Sequence, residues 1–285
     1  MTSTSSALRD LAAKGRRSAT RALGYLPIRR ITCNFCGQMF PHLGPEHSEA
    51  LECPSCGSIA RERVVYEAIL RQFDSSLSAA PIVRNSSLKA YTVLEFSPRS
   101  YTTRLPSNRG AFKEYVASDF DESAHRTDVK LDLLDPATYE SLLGKFDIII
   151  CSHVLEHIPD YHRAIGGLWN LLSPAGKLFF QVPVLEGHYT PITWDEFHGD
   201  NTRAYHRFGF DIAEEFLPLF PSIVLYLGLR EFKITSREIK PTKYDYLEQE
   251  NLAIEIVEFG SEVIDAKGLG CPDLCEVFVL SRNEL

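Results

Sequence analysis

From residue 91 the chain alternates short apolar runs with helical stretches: "YTVLEF", "FKEYVASD", "DVKLDL", "FDIIIC" and "GKLFFQVP". Runs of this length, such as "FDIIIC" and "LFFQVPVL", fit buried strands. Strands that alternate with crossovers predict an open parallel α/β sheet, and in such sheets a ligand sits outside the carboxyl ends of the strands near the switch point. The residues leaving each strand are therefore the first candidates for function. They are Glu95, Asp119, Asp132 and the pair Ser152 and His153. A lone carboxylate at a strand end is ordinarily solvated, but three in succession at one topological position are harder to dismiss.

Ahead of the sheet, "SIARERVVYEAILRQF" places Ile59, Val64, Tyr66, Ile69, Leu70 and Phe73 at broadly helical spacing, with Ser58 as its expected N-cap. The Ser-rich "DSSLSAAPIVRNSSLKA" then predicts a linker, with a domain boundary near residue 85. The expected organisation is a basic N-terminal segment (1–30), a small module (31–60), a helix and linker (61–85) and the sheet domain (86–285). Residues 240–270 fit an insertion at the sheet edge, and Cys271 and Cys275 fit thiols in a turn before the last strand, "CEVFVLSR".

Charge changes the picture of partners. The net charge of −8 hides a basic head, since residues 1–30 carry seven basic side chains against Asp10 alone, which leaves 23 basic and 37 acidic residues beyond it. So acidic a body disfavours general nucleic-acid binding. The head is a candidate for weak membrane-surface contact or organelle targeting, although a solvated helix is the plainer expectation. It lacks the apolar core of a secretory signal, and no run reaches the roughly 18 apolar residues of a membrane span. A reducing, cytoplasmic setting is therefore expected.

In that setting the cysteines favour metal over disulfides. Cys33-x2-Cys36 is followed after sixteen residues by Cys53-x2-Cys56, within the spacing of a four-cysteine zinc ribbon. Each pair is followed by glycine, in "CNFCG" and "CPSCG", which lets the backbone turn beneath the thiolates. Four thiolates complete a tetrahedron, so the expected Zn2+ is structural and His42 and His47 are not needed as ligands.

A second metal motif competes. "HVLEH", His153 to His157, has the spacing of inverted zinc peptidases. Those enzymes carry the string in a long helix, whereas here it follows a predicted strand directly and Pro159 interrupts it after one turn. Hydrolytic zinc chemistry is disfavoured on that context.

With these residues on view, the chain resembles a class I S-adenosylmethionine-dependent methyltransferase over about residues 90–235 plus the closing strand. The likeness is carried by "FDIIICSHVLEHIPD" at the fourth strand and "LLSPAGKLFFQVP" before the fifth. Small-molecule methyltransferases of a broad bacterial type carry the similar "SHVLEHIPD", and a zinc-knuckle segment ahead of the domain resembles one bacterial subgroup. The resemblance implies a seven-stranded, mostly parallel Rossmann-like sheet with the small N-terminal zinc ribbon. It implies Glu95 near the methionine amino group of S-adenosyl-L-methionine, Asp119 on the two ribose hydroxyls, and Asp132 with Leu133 at the adenine edge. Cys151, Ser152 and His153 would wall the methionine and sulfonium. The family's first loop reads E/D-x-G-x-G, and this chain departs from it in "EFSPRS", with Ser97 lining the cofactor, followed by Pro98 and Arg99. Pro98 donates no N–H, which predicts a weaker grip on the cofactor.

The expected reaction is methyl transfer from S-adenosylmethionine to a hydroxyl or amine of a small molecule or saccharide. Alignment matters most in such a transfer, and a base helps only where the acceptor is protonated. His157 and His153 are the candidate catalytic residues, with loop positioning an equal alternative for His157. In related quinone O-methyltransferases a Glu stands in place of His153 and joins an acid and a His on a divalent ion. The acceptor pocket is expected in "PITWDEFHGDNTRAYHRFGFD", read as a loop, with His198, Arg203, Tyr205 and His206 as candidate contacts. Asp211 with Glu214 fits a capping box for the helix that follows. Two other readings are an RNA methyltransferase whose ribbon binds substrate, and a non-catalytic interaction protein on the same fold.

Overall fold

The computed structural model describes residues 29–42, 52–73, 87–99, 109–121, 127–183, 192–197, 203–208, 212–227, 230–234, 254–257 and 276–282. Its centre is a run of parallel strands: β3 (Thr92–Phe96), β4 (Glu114–Asp119), β5 (Val129–Lys130), β6 (Phe146–Ser152) and β7 (Leu172–Gln181). All five residues of β3 are buried, as expected of a central strand covered on both faces. The antiparallel strands β10 (Ser222–Leu227), β11 (Arg230–Ile234), β12 (Ile254–Val257) and β13 (Glu276–Ser281) extend the sheet. The order is β12-β11-β10-β13-β7-β6-β3-β4-β5.

The seven strands from β10 to β5 form the expected sheet. The full sheet has nine, because β11 and β12 add antiparallel pairings beyond β10. β12 falls within the segment read as an edge insertion. Cys271 and Cys275 lie outside the described residues. From β3 the chain steps outward to β4 and β5, then returns to the other side of β3 as β6. This places the switch point between the carboxyl ends of β3 and β6. At the opposite end, Asp147 of the "FD" pair accepts from Thr92 N at 2.9 Å and from Ser173 Oγ at 2.9 Å, pinning β3, β6 and β7 together.

Side-chain alternation along these strands builds two cores. One face packs Leu94, Phe96, Ile149, Cys151, Leu178 and Phe180 beneath helices α2 (Tyr161–Leu171) and α3 (Ile212–Phe216). Asp160 caps α2 by accepting from Arg163 N, and α3 forms although Asp211 of the expected capping box lies outside the described residues. The other face packs Val93, Ile148, Ile150 and Phe179 against helix α1 (Ala60–Phe73) and the cysteine module.

That second core takes in the helix ahead of the sheet. α1 was read as part of a connector ending near residue 85, yet its Val64, Val65, Ile69 and Leu70 share one cluster with the sheet and with Cys33, Phe35 and Phe40. Apolar residues on more than one side of the helix face both the sheet and the module, so it serves as the layer between them. The module's hairpin, β1 (Arg29–Thr32) with β2 (Met39–His42), also begins two residues earlier than expected.

Candidate functional site

The switch point is marked in the backbone. Among the described residues, Ser97 (φ 46°) and His153 (φ 54°) are the non-glycine residues with positive φ. One follows β3 and the other follows β6, on neighbouring strands at the same end of the sheet. Ser97 N donates to Ser118 O at 2.8 Å and His153 N to Gln181 O at 2.9 Å, so each chain turns only after one more bond to its neighbour. Such conformations cost about 1–3 kcal/mol each and collect where function overrides comfort. Ser97 stands where the resemblance expects glycine, and its backbone keeps a left-handed conformation that glycine adopts freely. The substitution is therefore absorbed as strain without losing the turn.

Glu95, two residues before that turn, is 5% exposed and is held by two tyrosines: Tyr66 of α1 donates to Oε2 at 2.9 Å and Tyr115 of β4 at 2.6 Å. Neither tyrosine was singled out for this role from the sequence, where Tyr66 read as one of the apolar positions of a helix. At the end of β4, Asp119 is buried and its Oδ1 accepts from Asp121 N at 2.9 Å. Phe120, directly after it, is 65% exposed, a flat apolar surface beside a carboxylate.

Asp132 uses Oδ1 to accept from Leu134 N at 2.8 Å, while Thr138 Oγ1 accepts from its backbone N–H at 3.0 Å. The Leu133 side chain is buried in the core, so only its backbone can meet a ligand. Gly167 of α2 permits this packing, because a Cβ there would come within 3.1 Å of Leu133 O.

After β6 the string "SHVLEHIPD" breaks into short contacts. Ser152 Oγ donates to Gln181 Oε1 at 2.7 Å. A single 3-10 turn, Leu155–His157, replaces the long helix of a peptidase, and His153 lies outside it. His153 Nδ1 is 3.3 Å from Glu156 Oε1. Glu156 is 4% exposed, and its Oε2 is buried without a hydrogen-bond partner. Burial, with the charge of Glu156 as a second cause, raises the Cys151 thiol far above its ordinary range, so Cys151 is an apolar wall. Among the described residues the only set of metal-capable side chains brought together is the four cysteines. The ion site of the quinone enzymes is not assembled from His153, Glu156 and His157.

The segment read as an acceptor loop is a hairpin, β8 (Ile192–Phe197) with β9 (Arg203–Arg207). The intervening "HGDN" is a turn signal, and the β-branched and aromatic residues on its flanks favour strands. His198 lies outside the described residues. β9 is fastened to the string after β6: His157 Nδ1 donates to Arg203 O at 2.8 Å, and His206 Nε2 donates to Pro159 O at 2.9 Å. His206 faces the body, edge-on to Tyr161 with centroids 5.0 Å apart. Its Nε2 thereby ties β9 to the string after β6. Arg203 and Tyr205 alternate onto the other face of β9, with the guanidinium 5.1 Å from the tyrosine centroid.

The cysteine module forms two matching turns. Gly37 N donates to Cys33 O and Gly57 N to Cys53 O, with both glycines at φ above 70° or equal to it (76° and 70°). The four Sγ atoms lie within 4.8 Å of one another. Ser58, expected to cap α1, instead places Oγ 3.2 Å from Sγ of both Cys33 and Cys56. Glu62 takes over at the helix start, accepting from Ile59 N at 3.0 Å.

The Cys33 thiol is pushed down to about 4, chiefly by its hydrogen bond with Cys56, whereas that same bond raises Cys56 and burial raises Cys53. The four cannot all ionise without a cation among them. Arg63, fully buried, donates from its guanidinium to Ser58 O; burial lowers its pKa, and Cys33, Cys53, Cys56 and Glu62 oppose that lowering. A four-thiolate centre around a divalent ion carries excess negative charge that such a guanidinium balances, so the donor set fits zinc.

The chain is similar to known proteins at three levels. A curated relative, the ubiquinone biosynthesis O-methyltransferase of Coxiella burnetii, is 53% identical over 36 residues, covering 13% of this chain and 15% of the relative. Solved structures with similarity include an S-adenosylmethionine-dependent methyltransferase from Mesorhizobium loti (13% identity, TM-score 0.38, covering 71% of this chain and 96% of that one). The CurJ carbon methyltransferase is another (14% identity, TM-score 0.39, 72% and 51%). Residues 62–220, more than half of the chain and starting within α1, match the family model described as a methyltransferase domain. The chain belongs to that methyltransferase domain family.

Proposed function

We propose that the chain transfers a methyl group from S-adenosylmethionine to a hydroxyl of a small molecule or saccharide, with an amine as the alternative nucleophile. The observation that carries this reading is the pairing of Ser97 and His153 in strained turns at the switch point, with Glu95 and Asp119 buried at the adjoining strand ends. Glu95 suits the methionine ammonium, Asp119 the ribose hydroxyls, Phe120 one purine face, and Asp132 with the Leu133 backbone the adenine edge. When bound, S-adenosylmethionine supplies a methyl group already activated on a sulfonium.

His153 is the better base. Its Nδ1 faces the Glu156 carboxylate, so Nε2 takes the acceptor's hydroxyl proton and Glu156 stabilises the resulting imidazolium. The acceptor oxygen, relieved of its proton, would take the methyl group that bound S-adenosylmethionine supplies, leaving a neutral thioether, and the proton would stay on His153. His157 spends Nδ1 on the Arg203 carbonyl, which supports a positioning role. The hydroxyl acceptor accords with the name of the ubiquinone-pathway relative, and the acidic body disfavours RNA. Zn2+ held by Cys33, Cys36, Cys53 and Cys56 is structural.

The test is calorimetric titration with S-adenosylmethionine. No heat of binding at about millimolar ligand, a Kd equivalent to about −4 kcal/mol, would sink the enzyme reading and leave the interaction-protein alternative.

A further inference from the structure

The loop inside the first cysteine pair, Asn34 and Phe35, is pressed against α1. Asn34 Nδ2 donates to Arg63 O at 2.7 Å, and the Phe35 ring lies 4.2 Å, centroid to centroid, from that of Tyr66. Arg63 and Tyr66 are three residues apart and so share a helix face. Phe35 and Tyr66 are each at most 2% exposed, leaving neither ring room to shift alone. On its far side Tyr66 donates its hydroxyl to Glu95 Oε2, the oxygen that Tyr115 also binds.

We propose that Tyr66 is a positioning residue for the amino-acid end of the cofactor, and that the first cysteine knuckle sets its place through Phe35. The inference rests on the reading of Glu95 given under Proposed function. Its chemistry lies in the kind of donor used. A buried carboxylate needs hydrogen bonds, and an arginine or lysine would supply them while cancelling the charge. Tyrosine hydroxyls are neutral donors, so these two bonds hold the oxygen without themselves cancelling a carboxylate's charge, as the proposed ammonium contact requires. Both hydroxyls converge on one oxygen, which fixes the carboxylate's rotamer. The metal-bearing module thus braces the cofactor site over a path of two rings.

The experiment compares two ligands on the full chain by calorimetry: S-adenosylmethionine, and 5′-methylthioadenosine, which keeps the adenine, ribose and sulfur but lacks the amino-acid end. Tyr66→Phe is expected to weaken S-adenosylmethionine about tenfold, the effect of one hydrogen bond to a charged group. Phe35→Ala is expected to weaken it by about threefold or more, with 5′-methylthioadenosine held within about twofold in both variants. Equal weakening of both ligands, or of neither, overturns the proposal and leaves the methyltransferase reading standing. A Phe35→Ala chain that binds as wild type does overturns the link to the knuckle. A wild-type chain that binds neither ligand overturns the underlying reading and this proposal with it.

Discussion

Glu156 lies 3.3 Å from His153 Nδ1 through one carboxylate oxygen, and its other oxygen is buried without a hydrogen-bond partner. A buried carboxylate so placed is poorly solvated and gains most when positive charge develops on the imidazole. Glu156→Gln removes that gain but keeps the shape. We expect kcat with a hydroxyl acceptor to fall by about a hundredfold or more, the scale of general-base catalysis, with S-adenosylmethionine affinity unchanged. His157→Gln should cost far less. Steady-state kinetics on the two variants would decide, and equal losses would remove His153 from the base role.

Ser97 at φ 46° supplies a second expectation. A residue with a Cβ pays about 1–2 kcal/mol in the left-handed region, and glycine does not. Ser97→Gly should therefore raise stability in urea by up to about that amount and retain cofactor binding. Ser97→Val should lose both, because β-branching makes the conformation worse. A Ser97→Gly chain less stable than wild type would mean that the hydroxyl, and not the turn, is what the position requires.

The central sheet was legible because its strands are apolar runs of fixed length, and the strand ends marked Glu95, Asp119 and His153 as candidates. The cysteine spacing was as direct. What stayed hidden were relations between elements far apart in sequence. Tyr66 and Tyr115 look like core aromatics until the strand and helix that carry them meet at Glu95. His206 has the composition of a substrate contact, and only the docking of β9 shows it donating to Pro159. Ser58 satisfied every local rule for a cap, yet two sulfurs took its hydroxyl. Local patterns name elements, and competition between partners assigns roles.

The ribose contact proposed for Asp119 can be tested apart from the rest of the cofactor. Asp119→Asn keeps an acceptor for Asp121 N but loses the charge and one of two equivalent acceptors. S-adenosylmethionine binding should weaken about tenfold or more, in line with a lost hydrogen bond to a charged group. A 2′-deoxy analogue should show little further loss in the variant. Additive losses in a calorimetric cycle would show that the ribose is read elsewhere.

The zinc reading has a direct chemical assay. Purified chain should carry about one zinc per molecule by atomic emission, in keeping with a single four-thiolate site. Cys53→Ser should lower that content and, because Cys53 and α1 share one core, lower the melting temperature as well. Arg63→Met, which keeps the packing but removes the buried charge, should release zinc at a lower chelator concentration than wild type. Unchanged release would show that the guanidinium serves the helix and not the metal.

The last expectation concerns pH. Glu67 is fully buried within α1, 3.4 Å from Arg71, and its Oε2 has no hydrogen-bond partner. Burial raises its pKa above the ordinary carboxylate value, against the opposing pull of Arg71. A carboxyl with a folded pKa above its unfolded one favours the folded state while protonated. Its contribution is full below the unfolded pKa and is lost as pH rises through the folded one. Glu67→Gln mimics the protonated form at every pH, and its amide can donate to the nearby Asn34 Oδ1, which is itself buried without a partner. The variant should match wild type near pH 4 and melt higher at pH 8, with the difference opening upward through the interval above pH 4.5. Paired melting curves across that interval test it. A variant that melts lower at pH 8 would show that the ion pair with Arg71 outweighs the burial of the charge.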